Sequence, residues 1–308
     1  MYLTFGWKIA EFYIFLLGRL YFFLNREEKS RIENAVSEVI GPRNHDASIK
    51  KISREVFYGI LSHYYEKLFI AFEDAERATR FLKRNIISED LKILHQKLSK
   101  GNGVIIVTGH YGAIEYIPTL LAVNNFPVSM IAKFKTEQLK RKVYAQAQKY
   151  RIILIDAEKS GNIISTAISE LRKNRIIVTQ CDEIEEWRPS KRDRISFLGR
   201  ITGLDRTINI MQKRTGAEIV FGIIHRYNLT HYRLRMYGYE DMSRILQNFP
   251  HTSMGETILK FLESLIYAHP EQWYQWKKYP EIKNIAGSDI KVERQPSLRF
   301  LKPAFVKL

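Results

Sequence analysis

The chain has 308 residues, 45% of them hydrophobic, enough for a large core and at most two domains. Its formal net charge is +16 with a pI near 9.7, which favours an acidic partner (nucleic acid, anionic lipid headgroups or an acidic protein) without choosing among them. The single cysteine, Cys181, excludes an internal disulfide and suits a reducing compartment.

Residues 1–25, MYLTFGWKIAEFYIFLLGRLYFFLN, are the most apolar segment. No basic residue precedes the apolar part and no small-residue cleavage site follows it, so a signal peptide is not expected. A membrane span needs about 20 uninterrupted apolar residues. Lys8, Glu11 and Arg19 break the run here. At roughly 100° per residue these three fall within about 80° of one another, and Phe, Tyr, Leu, Ile and Trp fill the rest of the wheel. Such a helix suits a membrane interface, apolar side down; it would also suit packing on the protein's own core. The width of the apolar arc and its aromatic content favour the interface.

Residues 26–98 read as helical. A charged amphipathic segment ends near Gly41-Pro42, a longer one runs over ASIKKISREVFYGILSHYYEKLFIAF, and SEDLKILHQKLSKGNG offers Ser88 as an N-cap and a glycine stop. From residue 103 the pattern alternates. Strands are expected at GVIIVTG, VSMIA, IILID, RIIVTQC, RISFLG and EIVFGIIH, with helices between them, an edge strand near 234–238 and a closing helix over 255–268. This is an α/β chain with a mostly parallel central sheet covered by helices on both faces. The expected organisation is an anchoring helix over 1–25, one α/β domain over 26–286 and a basic tail over 287–308.

Ligands of such sheets bind at the carboxyl ends of strands. His110 lies just past the end of the strand GVIIVTG, and Glu115 sits in the first turns of the following helix. Within one continuous helix a five-residue spacing would set the side chains about 140° apart, so they meet only if His110 stands outside the helix on the approaching loop. Gly109 and Gly112 give that loop its freedom. A carboxylate on one imidazole nitrogen fixes the tautomer, and the other nitrogen then serves as a general base. A hydroxyl activated in this way can attack an acyl carbon without a serine or cysteine nucleophile. The bland reading of the spacing is a histidine capping a loop and a glutamate facing water; the placement at a strand-to-helix turn favours the catalytic one.

Other features carry less. His225 and His231 flank a strand and read as structural. There is no His-Glu-x-x-His or Cys/His spacing for a metal, and no P-loop or dinucleotide fingerprint, so no cofactor is called for. No nucleic-acid motif accompanies the basic residues. Cys181 reads as a core thiol at a strand end, and Trp273 and Trp276 as packing residues.

Four stretches together resemble the bacterial late acyltransferases of lipid A biosynthesis, within the wider group of lysophospholipid and glycerol-phosphate acyltransferases. They are His110-x4-Glu115 after an apolar strand, QCDEIEEW at 180–187, SFLGRITGLDRTINIMQKRTGAEIVFGIIHR at 196–226 and HPEQWYQWKK at 269–278. The resemblance runs in order over residues 5–280. It implies transfer of a fatty acyl chain from an acyl carrier protein or coenzyme A to a hydroxyl of a lipid A precursor or related glycolipid, at the cytoplasmic face of the inner membrane. His110 would be the base and Glu115 its orienting partner. Arg151 and Asp182 match an arginine and an aspartate that matter in the family, with Lys149 a rival for the first. Lys133 stands where the family often has arginine, Ala113-Ile114 where it often has Asn-Trp, and Leu198 where it often has Phe. The alternative is a membrane-associated lipid-binding protein that kept the fold and lost the chemistry; the intact dyad counts against it.

On that reading the basic excess has a use. Residues 132–151 carry seven Lys or Arg against one acid, and residues 188–206 six against two. They would meet acceptor phosphates, an acidic carrier protein or the anionic membrane surface. Arg188, Arg192 and Arg194, in a loop, are the stronger phosphate candidates, whereas Lys140, Arg141 and Lys142 read as a solvated helix face. An apolar tunnel for the acyl chain is expected beside His110, under the helix carrying Ile114, Ile117, Leu120 and Leu121, with the Arg188–Arg194 loop on its opposite side.

Overall fold

The structure, a computed structural model, describes residues 6–43, 46–134, 136–157, 162–184, 194–203, 206–246 and 253–282. The expected basic tail and the loop bearing Arg188 and Arg192 fall outside these residues. The chain forms two compact units with interleaved segments: one from residues 1–65, 182–205 and 248–308, the other from residues 66–181 and 206–247.

The first unit begins with helix α1 (Trp7–Leu24), then α2 (Arg26–Ile40), which ends in a short 3-10 turn at Gly41–Arg43. The long helix α3 (Asp46–Phe72) belongs to this unit up to Tyr65. One face of α1 packs on α3: Trp7 meets Tyr65, Phe15 meets Tyr58 and Phe22 meets Phe57, with ring centroids 4.7–5.7 Å apart. Gly18 lets the helices approach, since a Cβ there would collide with the Leu61 side chain. The opposite face of α1 stays uncovered. Ile9, Phe12, Tyr13, Leu16, Leu17, Leu20, Phe23 and Leu24 are exposed, and together they span an arc of about 140°. Among the described residues no helix is long and apolar enough to cross a membrane.

The rest of this unit is built around tryptophans. Trp273 and Trp276, fully buried, lie edge to face at 5.0 Å. The Trp276 Nε1–H donates to the Pro270 carbonyl at 2.8 Å, so the Pro-Glu-Gln-Trp stretch folds back on itself. RISFLG forms a strand, but in a separate two-stranded hairpin with Arg200–Gly203 and not in the main sheet. Its turn puts Leu198 at φ 49° and Gly199 at φ 82°, the left-handed pair that a tight hairpin requires. Leu198 tolerates this because its buried N–H donates to Glu263 Oε1 at 2.7 Å.

The second unit holds the seven-stranded sheet. In chain order the strands are β1 (Ile86–Ile87), β2 (Val104–Thr108), β3 (Val128–Ala132), β4 (Ile153–Asp156) and β5 (Ile176–Gln180); the hairpin strands of the first unit are β6 (Arg194–Phe197) and β7 (Arg200–Gly203); β8 (Glu218–Asn228) and β9 (His231–Gly238) follow. The order across the sheet is β1-β9-β8-β2-β5-β3-β4, parallel throughout except for the β8–β9 hairpin. The segment at 234–238 is thus a strand but not an edge, because β1 lies outside it. The helices are α4 (Ala75–Asn85), α5 (Lys92–Leu98), α6 (Ile117–Val123), α7 (Glu137–Lys149), α8 (Ile163–Arg172), α9 (Thr207–Thr215) and α10 (Tyr239–Ile245), with α11 (Met254–Ala268) closing the first unit. Side-chain caps at Asp74, Thr136 and Asn162 start α4, α7 and α8. Ser88 makes no such bond and precedes a 3-10 turn instead.

The strand order explains where a ligand goes. The connections β2–α6–β3 and β3–α7–β4 step outward, and β4–α8–β5 steps back. With right-handed crossovers, α6 and α7 cover one face and α8 and α9 the other. The chain leaves the adjacent strands β2 and β5 toward opposite faces, so their carboxyl ends flank the switch point where such sheets bind ligands.

Candidate active site

His110 stands two residues beyond β2, half-buried, in the turn outside the helix. The Tyr111 N–H closes that turn on the Gly109 carbonyl at 2.7 Å. Of the two glycines, Gly112 is the one that takes a left-handed conformation, at φ 61°. Gly112 bridges to Ile224 of β8, and the Ala113 N–H donates to the Ile224 carbonyl at 2.9 Å. The turn is therefore an extension of the sheet and not a loose loop. Glu115 lies in a 3-10 turn, Ile114–Tyr116, that leads into α6.

Two residues near the end of α3, both in this unit, reach this turn. Glu66, fully buried, accepts two hydrogen bonds from Arg226, at 2.5 Å (Nε to Oε1) and 2.8 Å (Nη2 to Oε2). Arg226 Nη2 also donates to the Gly112 carbonyl at 3.0 Å. Burial works against the Arg226 charge, but the Glu66 carboxylate outweighs it and raises the guanidinium pKa above its ordinary value. The next residue, Lys67, places Nζ 3.4 Å from Glu115 Oε1. The sequence reading assigned neither Glu66 nor Lys67. The available signal was a carboxylate on the buried stripe of α3, which otherwise holds Val56, Ile60, His63 and Phe69.

Beside Glu115 opens a cavity of about 110 Å³. Its wall is formed by Ile114, Pro118 and Thr119 on one side and by Leu139, Val143 and Ala147 of α7 on the other. The sheet supplies Met130, Leu154, Val178 and Gln180, and Ile152 lies just before β4. Register pairs Met130 with both Val178 and Leu154, so these residues share one face. The cavity runs down β3, β4 and β5 from Gln180, level with Thr108, to Ile152, level with Val104, a depth of about 13 Å at 3.3 Å per residue. Its lining differs from the one expected for the tunnel. Of its four named residues only Ile114 lines the cavity; Ile117, Leu120 and Leu121 are fully buried and pin α6.

The remaining expected site residues divide. Lys133 follows β3 at the same end of the sheet as His110, two strands away, about 10 Å across. Arg151 does not join them. It precedes β4, level with Gly103 in register, about seven residues or roughly 23 Å below His110 along the strands, at the amino edge. Lys149, at the end of α7, lies at that edge too. Asp182 belongs to the first unit, where its fully buried Oδ2 accepts the Trp273 indole N–H at 2.8 Å. Arg194 opens β6. Cys181 is buried, with its N–H on the Thr108 carbonyl at 2.8 Å. His225 is buried within β8. Among the described residues no cluster of His, Cys, Asp or Glu gathers to hold a metal.

A family model described as bacterial lipid A biosynthesis acyltransferase matches residues 2–278. Comparison with curated proteins returned no match.

Proposed function

We propose, from the premise that this chain belongs to the bacterial lipid A biosynthesis acyltransferase family, that it moves a fatty acyl chain from an acyl thioester to a hydroxyl of a lipid A precursor or related glycolipid. The observation that carries the reading is the largely apolar cavity that Glu115 helps to line, reaching the carboxyl end of the sheet at Gln180. His110 removes the proton of the acceptor hydroxyl as its oxygen attacks the thioester carbonyl. Glu115 orients the imidazole and stabilises the imidazolium that forms. The tetrahedral intermediate collapses by expelling the thiolate, which takes the proton from His110.

The acyl chain enters the cavity, where each buried methylene contributes about 0.8 kcal/mol, while the polar part of the acceptor stays outside. Lys133, at the same end, suits an acceptor phosphate. Arg188, Arg192 and Arg194 keep that role as candidates, and Asp182 acts by holding Trp273. The donor is acyl carrier protein or acyl-coenzyme A. The apolar arc of α1 lies in the membrane interface, at the cytoplasmic face of the inner membrane, where the basic surface meets anionic headgroups.

The test is lipid mass spectrometry on cells with and without the protein. A glycolipid lacking one acyl chain in the deleted strain, restored by the wild-type gene and not by His110→Ala, is the expected result. Restoration by His110→Ala would instead indicate a lipid-binding protein without this chemistry.

A further inference from the structure

The turn between His110 and Glu115 has two ends, and consecutive residues of α3 reach both. Glu66 holds Arg226, whose third hydrogen bond goes to the Gly112 carbonyl. Lys67 holds the Glu115 carboxylate directly. The two tethers differ in character. The Glu66–Arg226 pair is fully buried, whereas the Lys67 side chain is 41% exposed and that of Glu115 26%. A pair that open to solvent contributes little to folding. Its value lies elsewhere: Glu115 stands on a single 3-10 turn, and its carboxylate has two oxygens to share. With Lys67 on one oxygen, rotation of the carboxyl group is restricted and the other oxygen keeps a fixed direction.

We infer that Lys67 is a positioning residue for the dyad, tying Glu115 to the end of α3 so that its carboxylate is held ready to orient the His110 imidazole. The inference rests on the acyl-transfer reading above. The contact that carries it is the ion pair with Glu115, and Lys67 also lines the cavity beside that carboxylate. Misplacing an orienting group by about 1 Å costs on the order of a hundredfold in rate. The effect therefore falls on kcat and leaves both substrates' KM values close to wild type.

The experiment is steady-state kinetics on the full-length protein with an acyl thioester donor and lipid A precursor acceptor, comparing wild type, Lys67→Met, Lys67→Arg and His110→Ala. Because Lys67 is part-exposed, Lys67→Met folds, and its unfolding midpoint confirms it. The expected result is a kcat lowered about tenfold to a hundredfold in Lys67→Met, with both KM values within about threefold, and most of the rate restored in Lys67→Arg. An unchanged kcat overturns the inference. So does a loss confined to one KM, which would make Lys67 a ligand for an anionic group of that substrate, and so does an arginine variant as slow as the methionine one. Full activity in His110→Ala removes the acyl-transfer mechanism itself and the inference with it, so the two failures are distinguishable.

Discussion

Arg226 donates to the carbonyl of Gly112 across 3.0 Å and also donates twice to Glu66, so one buried guanidinium links α3, β8 and the turn that carries His110. Removing Arg226 alone strands a buried carboxylate, which typically costs about 3–5 kcal/mol, whereas replacing a buried pair with apolar residues is often neutral. Arg226→Met should therefore unfold at markedly lower denaturant, and Glu66→Leu combined with Arg226→Met should recover most of that loss. The double variant still lacks the donor to Gly112, so its acyl transfer should stay impaired. Denaturant midpoints and turnover measured on the same preparations check this. A double variant with full stability and full activity would show that the hydrogen bond to Gly112 is dispensable.

For the dyad itself, His110→Ala should lower turnover by about 10²–10⁴, the usual range for a lost general base. Glu115→Gln, which keeps the shape but loses the charge, should reduce it severely. Neither residue anchors the sheet, so thermal midpoints should stay near wild type. A His110→Ala protein within about threefold of wild-type turnover with the correct acceptor removes His110 as base.

The cavity is tested by filling it. Met130 lies at mid-depth, paired in register with Val178 and Leu154. Met130→Trp should shorten the preferred acyl chain while leaving acceptor KM nearly unchanged. Ile117→Trp serves as the contrast, because Ile117 is fully buried and does not line the cavity; it should lower stability without a chain-length preference. Competition between donors of different length reads the difference. An unchanged length profile in a folded Met130→Trp protein places the acyl chain elsewhere.

Much of this architecture follows from local pattern. Every expected strand forms, and all but RISFLG enter the central sheet, because short apolar runs between helices leave few alternatives to a parallel sheet. His110 could be placed because a strand end is visible in the sequence. Four things were not visible, each non-local. RISFLG satisfies strand propensity in a private hairpin, since its turn pair, Leu198-Gly199, returns the chain onto Arg200 before it can cross to the sheet. Arg151 is near β4 in sequence, but register puts it at the amino edge, away from His110, and register depends on partners a single strand does not reveal. Lys67 and Glu66 lie more than 40 residues before the dyad, on a helix whose pattern says only that it is amphipathic. The interleaving of the two units was likewise hidden, because no linker-like composition marks residues 182 or 205.

Glu218 is one source of acid sensitivity. Burial alone would push the Glu218 carboxyl up, but Lys100 at 2.7 Å and Lys97 at 2.8 Å outweigh it and hold the pKa below its ordinary value. A carboxyl whose pKa is lowered by folding adds stability above the unfolded pKa, about 4.3, and loses it as pH falls through the folded value. Glu218→Gln should therefore be less stable than wild type at pH 7, with the gap narrowing below about pH 4. Denaturant midpoints at pH 7 and pH 3.5 test the sign. A gap that widens on acidification contradicts the assignment.

The arc of α1 makes the last prediction. Leu16 and Leu20 sit near its centre, at 49% and 50% exposure, on the face opposite the one that meets α3. If that face lies in a membrane interface, each leucine contributes up to about 1.5–3 kcal/mol of binding, and every 1.4 kcal/mol is about tenfold in partition. Leu16→Asp with Leu20→Asp should release the protein from vesicles of phosphatidylethanolamine and phosphatidylglycerol, with the unfolding midpoint intact because neither residue is packed. Gly18→Leu should behave in the opposite way: it lies on the packed face against Leu61, so it should damage folding without probing the membrane. Salt separates apolar from electrostatic attachment, since exposed charges are screened beyond about 3 Å at 1 M. Wild type should remain on vesicles in 1 M salt and the double aspartate variant should not. A double variant that still sediments fully with vesicles at that salt removes α1 as the main contact and leaves the exposed arc to serve another surface.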